Sequence, residues 1–377
     1  SPYSVSDGHL VRRVQLDEVC PDKPLFLVKY DGHACVVNTV LLNEVRGKVQ
    51  HLRGFHEDTG EMNQEAFFAV SDYITASLST VQLVAHMQKA LDDLAARGIG
   101  MIHTVSGVGF ARDLDVDLER FFARGITNGM QMRVFMQTLD VNKAVKRKLP
   151  RIGGCFETAL LSPYENTSDC GVLYYSDEKV TEFCKAANRA GLQIEMHAIG
   201  DKAFVQAVRA IKAALDDLPR EDHRHTIIHA CLPTAEEIAV CERYHINLAV
   251  QTAFIDWPQE PDSYLEQILG ERAGRLNPIR TFCEHGLILS AGSDGPCTDP
   301  DPLLWMYKAC NHSNPAESIS VQQALRMCTY NGYYTTFDER ERGSLEAGKI
   351  ADMVLLDRNP YDIPKEELAS VKVKQLY

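Results

Sequence analysis

The chain has 377 residues, 45% of them hydrophobic and 24% charged, a mix that suits a folded globular protein. That length fits one large barrel with a small appended domain, or two ordinary domains. A formal net charge of −13 argues against nucleic acid as a partner, and no run approaches the roughly 18 apolar residues of a membrane helix.

The nearest thing to a basic stripe, Lys143 to Arg151, reads as a solvated loop. Eleven cysteines are scattered from Cys20 to Cys328 without a CxxC pair. Apolar neighbours around Cys155, Cys231 and Cys283 suit buried free thiols in a reducing compartment, so the cytoplasm is the expected location. The first residues, Ser-Pro-Tyr, carry no signal or transit pattern and lead to the expectation of a processed or truncated form.

In chain order, a strand from Leu25 to Tyr30 precedes Asp31-Gly-His-Ala. There His33 either faces a substrate or is an ordinary turn histidine. Leu83, Met87, Leu91 and Leu94 make an amphipathic helix that Gly98 ends. Strands follow over Met101 to Val105, Met132 to Gln137 and Cys155 to Leu160, with His103 inside the first as a core residue or a neighbour of the site. Ser176 caps a helix through Ala190.

The clearest unit is Leu192 to Met196, a strand ending at His197, with Asp201 as the cap of the next helix. Phe204, Val208, Ile211 and Leu215 share one face of that helix, and Pro219 stops it. The scheme repeats with Thr226 to Ile228 ending at His229, followed by a helix capped by Thr234 and Glu237. Ile246 to Gln251 is another strand, and Leu287 to Ala291 runs into Gly-Ser-Asp at Asp294. Strand alternating with helix marks an α/β fold with parallel strands, and seven barrel-type strands follow residue 100. Gly343 to Asp357 and Val371 to Leu376 are tail strands, too few for a stable sheet of their own.

His197, His229 and Asp294 all stand at carboxyl ends of apolar strands, the face where parallel barrels assemble their sites. Neutral imidazoles with a carboxylate suit zinc or a similar first-row metal. Such a metal acidifies water to about pKa 7, and a nearby Asp can carry the proton to a leaving amine. A single histidine at a strand end is more often a hydrogen-bonded structural side chain, and it is the three in the order His, His, Asp that favour a site. His223 and His225 stand at the wrong strand end. No Gly-rich phosphate loop and no GxSxG elbow is present.

His197-Ala-Ile-Gly-Asp201 resembles the fifth-strand signature of the amidohydrolase superfamily, in its family 3 (YtcJ-like) branch. Asp31-Gly-His-Ala with Val37-Asn38 matches the same branch, as do Arg224 to His229 and Gly292-Ser-Asp-Gly-Pro296 with Asp301-Pro-Leu303. The tail Gly343-Ser-Leu-Glu-Ala-Gly-Lys-Ile-Ala-Asp352 completes the series.

The resemblance implies a (β/α)₈ TIM barrel with a small β-sandwich formed by both chain ends. On that plan residues 1–342 are the barrel, with an insertion over about 1–98, and residues 343–377 are the C-terminal part of the sandwich. It implies His197 and His229 as metal ligands and Asp294 as both ligand and proton shuttle. Glu157 falls where many relatives have a carboxylated lysine bridging two metals. The implied cofactor is a divalent metal, zinc first with iron or manganese as alternatives, as one or two ions. A His-x-His pair on the first strand is absent, and the loop after Leu160 is short, so segments at the start and after Leu160 are expected to be missing.

The expected activity is hydrolysis of a non-peptide, amide-type C–N bond in a small molecule, with His33 contacting the substrate. A deaminase of heterocyclic amines is the first alternative, and a non-catalytic barrel scaffold the second. A homo-oligomer is compatible with everything above.

Overall fold

A computed structural model describes residues 11–123 and 130–377, leaving aside the side chains of Cys155 and Phe156. The amino-terminal part forms its own small sheet, built from β1 (Phe26–Val28), β2 (Ala34–Val37), β3 (Phe55–His56) and β4 (Glu61–Asn63). These are antiparallel in the order β1-β2-β4-β3. Helices Thr39–Val49 and Gln64–Thr75 bury Leu42, Val45, Phe67 and Val70 with Cys35, Val37 and Met62 of the sheet.

The main sheet holds β5 (Met101–Ser106), β6 (Gln131–Gln137), β7 (Arg151–Ala159), β9 (Gln193–Ile199), β10 (Thr226–His229), β11 (Asn247–Val250) and β12 (Leu289–Ala291), while β8 (Gly171–Val172) is a short strand antiparallel to β7. The other seven strands are parallel, in the order β12-β11-β10-β9-β7-β6-β5. They are the seven read from the sequence.

The eight-stranded closed barrel requires correction. Among the described residues no strand joins β12 to β5, so the sheet is a curled half-barrel with two edges. Closure would need an eighth strand paired to both edges.

Each strand alternates between two environments. On β9, Ile194 and Met196 pack outward with Phe204, Val208, Ile211 and Leu215 of helix Asp201–Asp217. Burying one such side chain contributes roughly 1.5–3 kcal/mol. Gln193, Glu195 and His197 occupy the alternate positions and are buried.

Gly200 is required at the strand-to-helix turn. Its φ is +89°, and a Cβ there would sit 2.4 Å from the Ala159 carbonyl oxygen. Asp201 is therefore the first helical residue rather than the cap. Its carboxylate accepts from the backbone N–H of Leu161 at 2.7 Å and tethers the chain leaving β7. Ser176 and Thr234 do cap their helices, accepting from Lys179 and Glu237 backbone N–H groups.

The segment Lys143 to Arg151 also differs from its expected loop. Helix Val141–Lys146 occupies its start and β7 begins at Arg151. Lys143 pairs with Asp113 at 2.8 Å and Arg147 with Asp117 at 2.9 Å, so the charges serve local packing.

The tail contains β13 (Val354–Leu356) and β14 (Val373–Leu376), an antiparallel pair with a bulge at Leu355/Leu356. Among the described residues this is a two-stranded sheet and not a sandwich. It lies beside Gly98, whose absent side chain leaves room for Val354 and Val373.

The ten described cysteines are all free thiols, while the side chain of Cys155 lies outside the described residues. Among the described residues no single helix is long and apolar enough to cross a membrane.

Candidate functional site

The strand-end residues gather at the carboxyl end of the curled sheet. His197 pairs across strands with Ile228, which places the two on one face. His229 pairs with Ala198, a position that alternation would turn the other way. It does not turn away, because His229 adopts φ +70° and Ala230 follows at φ +53°. The left-handed twist brings the His229 ring to 4.5 Å from the His197 ring, nearly perpendicular to it. Two non-glycine residues in that region store strain, which recurs at functional sites.

Asp294 lies in the turn after β12 and is also left-handed, at φ +53°. Its Oδ2 stands 3.9 Å from His229 Nε2, and its side chain is 38% exposed, so it faces both the histidine and solvent. Cys297 N–H donates to the Asp294 carbonyl at 2.8 Å, closing the turn.

Burial dominates the charge state of both imidazoles. It holds His197 well below the usual histidine range, and the neighbouring His229 and His33 add to the effect. His229 is lowered by burial too, against the opposing pull of Asp294. Neutral imidazoles are the form that ligates metal.

Glu157 is almost wholly buried on β7, one strand from His197. An irregularity between Gly154 and Phe156 shifts the register, so that Glu157 lies level with Ala198. One carboxylate oxygen accepts the backbone N–H of Tyr174.

His33 reaches the site from the β1–β2 turn. Its ring is 5.4 Å from that of His197, and its backbone N–H donates to Asp31 Oδ1 at 2.9 Å. The structure thus brings His33, His197, His229 and Asp294 into one chain of neighbours.

Among the described residues no three His, Cys, Asp or Glu side chains close into a group able to hold a metal ion. The donor types nevertheless fit a divalent cation: two neutral imidazoles, an accessible aspartate and a buried glutamate.

Other described histidines lie elsewhere. His225 accepts from the Ile194 N–H and bonds Asn188 Oδ1, while His223 bonds the Tyr244 carbonyl, so both pin strand starts. His103 is held near pKa 3, by burial first and then by Arg151 and Arg133.

A group without a sequence signal also borders the site. Phe254 and Trp257, in the segment after β11, stack edge-on at 4.8 Å, and Tyr30 meets Trp257 at 5.2 Å. Position after the carboxyl end of a parallel strand could have suggested Phe254 and Trp257, whereas Tyr30 lies in the turn between antiparallel β1 and β2 and had no such signal.

Comparison with known proteins agrees with this architecture. A model of the amidohydrolase family matches residues 4–377. The chain is similar to YtcJ of Bacillus subtilis, 24% identical over 96% of this chain and 74% of that protein. It is also similar to the N-substituted formamide deformylase of Arthrobacter pascens, 24% identical over 97% of this chain and 74% of the relative. An uncharacterized metal-dependent hydrolase from Pyrococcus furiosus shares the fold, with a TM-score of 0.73 at 22% identity, covering 94% of this chain and 76% of that one.

Proposed function

We propose that this chain, which belongs to the amidohydrolase family in its family 3 branch, hydrolyses an amide-type C–N bond of a small molecule with the help of a divalent cation. The observation that carries the reading is the His197–His229–Asp294 series. Two neutral imidazoles with ring centres 4.5 Å apart, and a carboxylate 3.9 Å from the second, gather near the carboxyl ends of parallel strands β9, β10 and β12. Likeness to a deformylase of N-substituted formamides supports an amide as the bond attacked.

On this reading His197, His229, Asp294 and Glu157 would hold the cation, with zinc the first choice for that donor set. Such a cation polarises a carbonyl and makes water a usable nucleophile near neutral pH. Asp294 then handles the proton. Its carboxylate takes a proton from the attacking water as the C–O bond forms, and returns it to the nitrogen as the C–N bond breaks. Half-exposed Asp294 suits this task, since it touches His229 and still reaches solvent. Burial of the imidazoles keeps them unprotonated and competent as donors at neutral pH. His33, beside His197, orients the substrate by hydrogen bonding.

The test supplies zinc to the purified protein and offers formamides and acetamides with varied nitrogen substituents, following acid and amine release by NMR. Asp294→Asn is expected to lower kcat by about 10²–10⁴-fold while circular dichroism stays unchanged. Wild-type turnover in that variant removes the assignment. Ammonia released from a ring amine, with every amide untouched, replaces it with a deaminase.

A further inference from the structure

Beside the paired histidines runs a continuous row of aromatic rings. The Phe254 ring lies 6.1 Å from that of His229, Trp257 lies 4.8 Å from Phe254, and Tyr30 lies 5.2 Å from Trp257. The last two contacts are edge-to-face, an arrangement that fixes ring planes. Phe254 and Tyr30 are half-buried, so each keeps surface to offer, while Trp257 is 9% exposed.

The row joins two parts of the chain far apart in sequence. Phe254 and Trp257 follow β11, whereas Tyr30 comes from the β1–β2 turn that also carries His33. Tyr30 Oη donates to the Glu260 carboxylate across this junction. Burial raises the Glu260 carboxyl, and burial together with Glu260 raises the Tyr30 phenol. The Tyr30 hydroxyl is therefore already engaged. A polar substituent laid along the row would lose water without gaining a partner, whereas a flat apolar one would gain contact.

We infer that Tyr30, Phe254 and Trp257 form the wall that selects the substrate, and that they take an aryl group borne by the scissile amide. The inference relies on the proposed hydrolase only for the location of the reacting bond.

The chain has two tryptophans, so Trp305→Phe leaves Trp257 as the sole indole fluorophore. That protein, loaded with zinc, is titrated with N-phenylformamide, benzamide and N-methylformamide. Both aryl probes are expected to change Trp257 emission saturably, and the methyl probe to leave it unchanged. Phe254→Leu keeps the position apolar without a ring and is expected to weaken aryl binding at least about fivefold. Emission that responds equally to all three probes, or to none, overturns the wall.

Turnover gives a separate readout. Aryl binding without hydrolysis leaves the wall standing and removes the hydrolase. Equal kcat/KM for all three amides with silent Trp257 removes the wall and leaves the hydrolase.

Discussion

His229 Nε2 stands 3.9 Å from Asp294 Oδ2, and both residues reach that position through left-handed backbone, at φ +70° and +53°. Each strand end has given up regular geometry to face the other. If the pair shares a cation, replacing either member should release it while the fold persists. His229→Asn is expected to lower zinc affinity by more than about 100-fold, beyond the loss typical of residues that merely support a ligand. Equilibrium dialysis with metal analysis reads this directly, and unchanged affinity would remove His229 as a donor.

Glu157 offers a second way to separate structure from metal binding. One oxygen accepts the Tyr174 N–H, a duty the amide oxygen of glutamine can perform. Glu157→Gln should therefore keep its melting temperature in the metal-free state yet bind zinc more weakly. Glu157→Ala orphans that N–H and should cost about 1–3 kcal/mol in urea unfolding. Equal stability losses in both variants would show the charge itself to be structural.

The legible parts of this fold were those dictated by local pattern. Seven parallel strands and the helix face of Phe204, Val208, Ile211 and Leu215 follow from apolar periodicity, which the chain carries residue by residue. His197 and His229 are visible because each closes an apolar run in the sequence, although β9 itself continues to Ile199 while β10 does end at His229. Whether the sheet closes was not legible from pattern, since closure depends on a partner for both β5 and β12. Asp201 differs from its expected role for a related reason: Gly200 takes the cap position, Asp201 is the first helical residue, and its carboxylate accepts from the distant Leu161 N–H. Tyr30, Phe254 and Trp257 meet only in three dimensions, and no spacing announces them.

His103 supplies a test of how burial couples to pH. Its folded pKa is near 3, lowered first by burial and then by Arg151 and Arg133, whereas an unfolded histidine titrates near 6.5. Between those values the unfolded chain binds the extra proton, so stability is whole above pH 6.5 and declines as pH falls toward 3. The expected slope is about 1.4 kcal/mol per pH unit for one such group. Urea unfolding of His103→Gln between pH 6 and 4.5 should be flatter than wild type by that amount. An unchanged slope would mean that the ring takes up a proton in the folded state.

Arg224 should be among the most costly surface-distant residues to remove. Its guanidinium lies 4.1 Å from the ring centres of both Tyr334 and Phe337. It also meets Glu339 at 2.7 and 2.9 Å and Asp222 at 2.6 and 3.1 Å, with a side chain only 6% exposed. The start of β10 is thereby clamped to the segment after helix Tyr330–Thr335. Arg224→Ala strands the largely buried Glu339 and should cost about 3–5 kcal/mol. Arg224→Lys keeps the charge but neither the fork nor the flat stack, so it should recover only part of that loss. If alanine and lysine unfold at the same urea midpoint below that of wild type, planarity and not charge carries the clamp. If both match wild type, the clamp contributes nothing.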